Sequence, residues 1–216
     1  GQGRWNGARE WVYEFGADLP PGTRCQVTPL AGFKSPAGTP LAAAGYRFST
    51  GGPFVQRIVP DPSQEIEEEQ AFVLRLNGAA TPDSLAAHLW CAVDGLAERV
   101  PARPLAAESR AALLAHLGWA AEAERAPQRF AVVQCARRLT PGSRVQLVYG
   151  AGVATPGGVA SRVERRFAYR VRAPFTASLQ CERENAQAGC LPIRPLEVVF
   201  SAPVPRRLAA LARLRG

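Results

Sequence analysis

Two histidines, five cysteines and a run of glutamates are the residues of this 216-residue chain whose types could do chemistry. His88 and His116 both sit in Leu/Ala-rich stretches that read as helix, where a histidine is ordinarily a packed or surface residue and not a base. A Ser-His-Asp arrangement would have to use one of them, and the Gly-x-Ser-x-Gly elbow is absent. The cysteines are Cys25, Cys91, Cys135, Cys181 and Cys190. None forms a Cys-x-x-Cys pair, so the closely spaced ligand set of a zinc site is missing. Glu65, Glu67, Glu68 and Glu69 lack the spacing and the sharp glycine turn of a calcium loop, and read as a solvated linker before a strand. The pairs at Gly51 and Gly157 precede no helix carrying Lys-Ser or Lys-Thr, so they are turns and not phosphate cradles. The expectation is a protein that is not an enzyme, with no catalytic residue, no metal and no cofactor.

The cysteines have a geometric reading of their own. Leu89, Cys91 and Val93 share one face of a strand, and Ala131, Val133 and Cys135 share a face of another. Both faces suit a buried Cys91–Cys135 bridge, with two unrelated core thiols as the alternative. Cys181 and Cys190 bracket a polar segment that cannot pack by itself, and closing such a loop contributes roughly 2–3 kcal/mol. Cys25 is left over, as an ordinary buried thiol or as the partner of a residue elsewhere. An odd count in a disulfide-like pattern suggests an oxidising compartment, and reduced cytosolic thiols are the other reading.

The formal net charge is +8, and every cation but Lys34 is arginine. A nucleic-acid surface is one explanation. In the densest basic stretch, however, Phe167, Tyr169 and Val171 alternate with Arg166, Arg170 and Arg172. Period-2 alternation puts the aromatics on the face opposite the arginines. A single-strand binder stacks bases on aromatics beside its cations, so no nucleic acid is expected. No apolar run is long enough for a membrane helix, and no signal peptide opens the chain. The sequence contains no methionine, which predicts that it starts inside a longer protein.

These residues must be positioned by elements that repeat. Leu19-Pro-Pro-Gly-Thr-Arg-Cys-Gln aligns with Leu139-Thr-Pro-Gly-Ser-Arg-Val-Gln, and the register continues from Gly32 to Gly152, Pro36 to Pro156 and Gly38 to Gly158. After a one-residue slip, Pro53-Phe54 aligns with Pro174-Phe175. Phe72, Leu74 and Leu76 form an alternating strand that ends in small residues, as do Leu196, Val198 and Phe200. The chain therefore divides into the back of one module (1–53), a complete module (54–173) and the front of a third (174–216). Short strands bounded by Pro-Gly turns predict a mainly all-β chain of tandem antiparallel β-sandwich modules. A short helical insert interrupts the central module near 106–124, with Ser109 to Ala123 read as one helix. Thr81-Pro82-Asp83-Ser84 reads as the capped start of another short helix.

Four phrases carry a family resemblance: Leu19-Pro-Pro-Gly-Thr-Arg-Cys, Phe48-Ser-Thr-Gly-Gly-Pro, Gln70-Ala-Phe-Val-Leu-Arg-Leu-Asn-Gly, and Cys181-Glu-Arg-Glu-Asn-Ala-Gln-Ala-Gly-Cys-Leu-Pro-Ile-Arg-Pro. Together they resemble the N-terminal macroglobulin or Ig-like modules of bacterial α2-macroglobulins, along essentially the whole chain. The resemblance implies a large periplasmic protein, often a lipoprotein anchored at the inner membrane, that inhibits proteases by bait cleavage and entrapment. Many members carry a thioester in a Cys-Leu-Glu-Gln motif; that motif and a recognisable bait are absent from this sequence. The implied role here is scaffold, with neighbouring modules as direct partners, proteases as partners of the full-length protein, and any lipid anchor outside these residues. A surface adhesin or carbohydrate-binding module is the rival reading, as is an accessory module of a secreted hydrolase. A sugar-binding face should gather exposed aromatics, whereas Trp5, Trp11, Trp90 and Trp119 fall in different elements.

Overall fold

The computed structural model describes residues 1–42 and 45–209. The chain divides after Val171 into two compact units. The first opens with two hairpins, β1 (Gln2–Asn6) with β2 (Glu10–Glu14), and β3 (Arg24–Val27) with β4 (Tyr46–Ser49). There follow β5 (Val55–Val59), β6 (Glu65–Ile66), β7 (Ala71–Leu76), helix α1 (Pro82–His88), β8 (Leu89–Val93) and β9 (Val100–Pro104). Helices α2 (Ala107–His116) and α3 (Ala120–Arg125) precede β10 (Phe130–Cys135), β11 (Arg144–Tyr149) and β12 (Arg165–Val171). The protein is mainly β, as its short alternating strands require.

Strands β5 to β12 form one eight-stranded sheet in the order β5-β7-β10-β9-β8-β11-β12-β6. Neighbours are antiparallel except β12 and β6. The sheet curls onto itself. Phe72 of β7 and Tyr169 of β12 lie far apart in the strand order, yet their rings meet at 5.1 Å. Between the two halves sits a core that includes Phe72, Leu74, Cys91, Val145, Leu147 and Phe167, giving the sandwich-like arrangement that alternating inward residues support.

Strand β7 is buried on both faces. Its outer residue Val73 packs with Val132 and Phe130 beneath Leu114 and Ala123 of the helical insert, which is why β7 reads as a nearly unbroken apolar run. Arg75 at the same outer face pairs with Glu122 of α3 at 3.1 Å. The insert is two helices where the sequence predicts one. Gly118 adopts φ +72°, its N–H donates to Ala115 O, and the Trp119 N–H donates to Leu114 O. This glycine stop closes α2, because a left-handed residue there satisfies the last carbonyls. Helix α1 starts as expected, with Thr81 as cap accepting from the Ser84 N–H and Pro82 in the first turn.

The sequence repeat is a repeat of bonds. At positions 120 apart, the Ser35 N–H donates to Thr39 O at 2.8 Å and the Thr155 N–H to Val159 O at 3.0 Å. Lys34 bridges Pro40 as Ala154 bridges Ala160. Carried backward, the same offset sets Trp11, Tyr13 and Phe15 at the positions of Ala131, Val133 and Cys135. Hairpin β1–β2 then stands for β9–β10, with Gly3 facing Tyr13 as Pro104 faces Val133. The turn Gly7-Ala8-Arg9 replaces the helical insert. Inside this unit, the Pro20–Gly22 turn seats against the complete module, with Pro21 on Gly78 and Gly22 on Thr155.

The second unit holds β13 (Ala177–Cys181), β14 (Leu196–Phe200) and the short helix α4 (Arg206–Ala209). Strands β13 and β14 pair antiparallel and repeat β5 with β7. The Phe54 N–H donates to Asn77 Oδ1 at 2.8 Å, and the Thr176 N–H donates to Ser201 Oγ at 2.8 Å. Return bonds run from Asn77 N–H to Phe54 O and from Ser201 N–H to Thr176 O. These bonds match Phe54 with Thr176, one residue beyond the Pro-Phe alignment read from the sequence.

Candidate functional site

The residues singled out for chemistry are dispersed. His88 is half-buried at the end of α1, its ring against the backbone of Gly152, and His116 is exposed at the end of α2. Among the described residues no group of three His, Cys, Asp or Glu is placed to hold a metal ion. The glutamate run is drawn into structure at several separate points. Glu65 pairs in β6 beside Arg170, Glu68 forms an ion pair with Arg138, and Glu69 O accepts from Gln134 Nε2. Glu65, Glu67 and Glu69 are exposed, as in a solvated linker before a strand, while Glu68 is partly buried and the backbone of the run is tied to β12 and β10.

The cysteines fall where strand faces place them. Cys91 in β8 and Cys135 at the end of β10 are both core residues and are joined, with Cα atoms 5.9 Å apart. The bond spans β9, which lies between their strands. Closing a loop with a sequence separation of 44 contributes roughly 4 kcal/mol in the chain-entropy account. In the second unit Cys181 and Cys190 are joined, with Cα atoms 5.5 Å apart. Cys25 is a free, half-buried thiol on β3, opposite Phe48 of β4.

Two tyrosines matter more than the sequence suggested. Tyr149 Oη donates to Pro53 O at 2.9 Å, and Tyr169 Oη donates to Pro60 O at 2.9 Å. They tie the entering segment of the module to β11 and β12. Burial pushes both phenols well above the ordinary tyrosine range, with the Asp61 charge a second cause at Tyr169. Alternation predicts that both are inward, but nothing in the sequence names a carbonyl partner more than 90 residues away.

Arginines 166 and 170 point outward while Phe167 and Tyr169 are buried, so cations and aromatics lie on opposite faces of β12. Arg166 bonds to Glu164 and Gln146. Exposed aromatics do gather elsewhere. Trp11, Tyr13 and Phe15 on β2 and just beyond it form a ring series with centroid spacings of 5.7 and 5.2 Å. With Cys25, Tyr46 and Phe48 they line an open hollow of about 790 Å³. Trp90 and Trp119 belong to the complete module instead. A second, apolar cavity of about 300 Å³ lies between α1, β9 and β10, with Leu85, Leu89 and Phe130 in its wall and Arg110 beside it.

The repeat explains the aromatic hollow. Val27 is 44% exposed where its counterpart Leu147 is fully buried; Phe48 is 45% exposed against 3% for Tyr169, and Tyr46 66% against 6% for Phe167. Hairpin β3–β4 is thus β11–β12 with its core face uncovered. In the second unit, Leu196, Val198 and Phe200 are likewise exposed, while Phe72, Leu74 and Leu76 are buried.

Fold and site together describe a mainly β protein with two disulfides and an exposed aromatic hollow. No protein-family model matches the chain, and no curated protein does. Among solved structures, domains 1–6 of the surface layer protein SbsC are similar over 61% of this chain and 15% of that one, at 11% identity and a TM-score of 0.35. The S-layer protein rSbsC(31-844) is similar over 63% and 21%, at 8% identity and a TM-score of 0.32. The chain spans under a quarter of either protein, and likeness at such TM-scores carries no argument about function.

Proposed function

We propose that this chain is a scaffold stretch of a periplasmic protease inhibitor of the α2-macroglobulin type, a protein that entraps proteases, and that the stretch performs no catalysis itself. The observation that supports it is the pair of half-modules. Residues 1–53 repeat the back of the complete sandwich and 174–201 repeat its front, each with apolar positions uncovered that the complete copy buries. Exposed apolar faces of this kind suit burial against neighbouring modules, the direct partners in this reading. The family is supported by the four phrases above, of which the Cys181–Cys190 phrase is the most specific. Two disulfides agree with an oxidising compartment. A lipid anchor at the inner membrane belongs to this reading, outside these residues.

Entrapment leaves a signature: a trapped protease still cleaves small peptides and loses access to large proteins. The test incubates full-length protein and this chain separately with a broad-specificity protease, then assays both substrate sizes. Large-substrate cleavage should fall only with the full-length protein. Inhibition by the 216-residue chain alone would place the inhibitory element here, and a full-length protein without effect on several proteases would end the reading.

One observation favours the adhesin or carbohydrate-binding reading: Trp11, Tyr13 and Phe15 do share one exposed face, which stacking on sugar rings would use. Glycan-array binding that Trp11→Ala abolishes would favour it.

A further inference from the structure

The apolar cavity of about 300 Å³ between α1, β9 and β10 lies wholly within the complete module. It opens where two strands part. Strands β9 and β10 pair only between Ala102–Pro104 and Val133–Cys135, while Phe130 and Ala131 pair with β7 alone. Small residues leave the gap open: Ala80, Ala86, Ala102 and Ala131 stand in the wall, although packed interiors ordinarily keep few voids larger than a water molecule. The sequence repeat supplies a bulkier version. Trp11 stands at the position of Ala131, and the turn Gly7-Ala8-Arg9 replaces the helical insert. The small residue and the insert therefore occur together, in the copy that has the cavity.

The insert also brings a charge. Arg110 of α2 is half-buried, and among the described residues of the wall it is the only charged one. Its guanidinium makes a long hydrogen bond of 3.4 Å to Pro127 O, and among the described residues it has no ion pair. Arg75 and Arg129, by contrast, share Glu122 of the same insert. An apolar cavity of this size with one polar anchor is the build of a small-molecule site. At about 30 Å³ per water-sized group, it holds roughly ten such groups. We propose that the complete module binds a single-chain fatty carboxylate, with a tail of about ten carbons in the cavity and its carboxylate on Arg110. The guanidinium fork suits a carboxylate, and the tail gains by leaving water. The inference goes beyond the scaffold role and does not rest on it.

The test is isothermal titration of the 216-residue chain with decanoate below its micelle concentration. Decanol lacks the charge and acetate lacks the tail, so both serve as comparison probes. Decanoate should bind at least about tenfold more tightly than decanol, because a charge-assisted hydrogen bond is at stake. Acetate should not bind detectably. Arg110→Gln should weaken decanoate by about the same factor and leave decanol unchanged. Ala131→Leu, which fills the cavity, should abolish binding of both. Arg110 is half-buried at the cavity's edge, so Arg110→Gln keeps the test in force should Ala131→Leu fail to fold. An absence of decanoate binding, or binding no tighter than that of decanol, would overturn the proposal. So would binding that neither substitution changes, which would assign the tail to the aromatic hollow of β2 and β4. Entrapment by the full-length protein is a separate readout, and its loss leaves this site standing.

Discussion

Hairpins β3–β4 and β11–β12 share a register and have different surroundings. Cys25 faces Phe48 and Val27 faces Tyr46, as Val145 faces Tyr169 and Leu147 faces Phe167. The second hairpin is sealed by β8 on its open edge and by β7 across the core. The first has neither. Local sequence can therefore carry a strand pair without carrying its burial, and stability should follow burial. Amide exchange is the broadest way to break this comparison. Amides in β7, β8, β10 and β11 should exchange at least about a thousand-fold more slowly than those of β3–β4, because core strands open only with the whole domain, at several kcal/mol. Equal protection in the two hairpins would mean that the half-module is stabilised by something its exposed face does not reveal.

A pair of matched substitutions sharpens the same contrast. Leu147→Ala removes a fully buried side chain beside Cys91 and should cost about 3 kcal/mol. Val27→Ala, its counterpart at a half-exposed position, should cost under about 0.5 kcal/mol. Urea unfolding followed by Trp90 fluorescence reads the first, and by Trp11 fluorescence in the hollow that Val27 shares the second, each with the other three tryptophans replaced. Similar costs would show that the equivalence of the hairpins extends to their packing.

How far the sequence reaches follows the same division. Features that depend on near neighbours were legible: the Thr81 cap, the alternation of β7 and β12, and the turns repeated 120 residues apart. The pairing of Cys91 with Cys135 was legible too, because each shares its strand face with apolar neighbours. The break at Gly118 was missed because a single glycine in a run of helix formers weighs little until its φ is known. The gathering of Trp11, Tyr13 and Phe15 into one hollow was missed for another reason. The repeat is recognisable from Leu19 onward, and only its ungapped offset carried back to β10 shows that these three stand at core positions. The tyrosine bonds depend on the curl of the sheet, which brings Pro53 and Pro60 to β11 and β12.

Those tyrosines separate the module from its half-copy by pH. Phe48, the counterpart of Tyr169, has no hydroxyl, and Val27, Leu147's counterpart, is followed two residues on by Pro29 in place of Tyr149. Both phenols are raised from an ordinary 10.0. Below pH 10 they are protonated in folded and unfolded chains alike. Above it the unfolded chain ionises first and binds fewer protons than the native one, so stability falls as pH rises, by up to about 2.7 kcal/mol per pH unit for two groups. Tyr149→Phe with Tyr169→Phe should cost about 2 kcal/mol at neutral pH through two lost hydrogen bonds, and should flatten the alkaline limb. Denaturation midpoints from pH 8 to 12 test this; an unchanged limb in the double variant would assign it to other groups.

The smallest expected effect is the most discriminating. Cys25→Val writes the complete module's residue, Val145, into the half-module at the same strand position. Were β3–β4 a finished core, swapping a thiol for a branched methyl pair at such a site would change stability by about 1 kcal/mol or more, because packed interiors register single methyl groups. Here the face is open and the site only half-buried, so the change should stay within about 0.5 kcal/mol. The reverse change should matter where the face is covered. Val145→Cys, at the buried counterpart position, should shift the unfolding midpoint measurably. A response to Cys25→Val as large as to Val145→Cys would mean that β3–β4 is already packed, and the contrast with β11–β12 would fail.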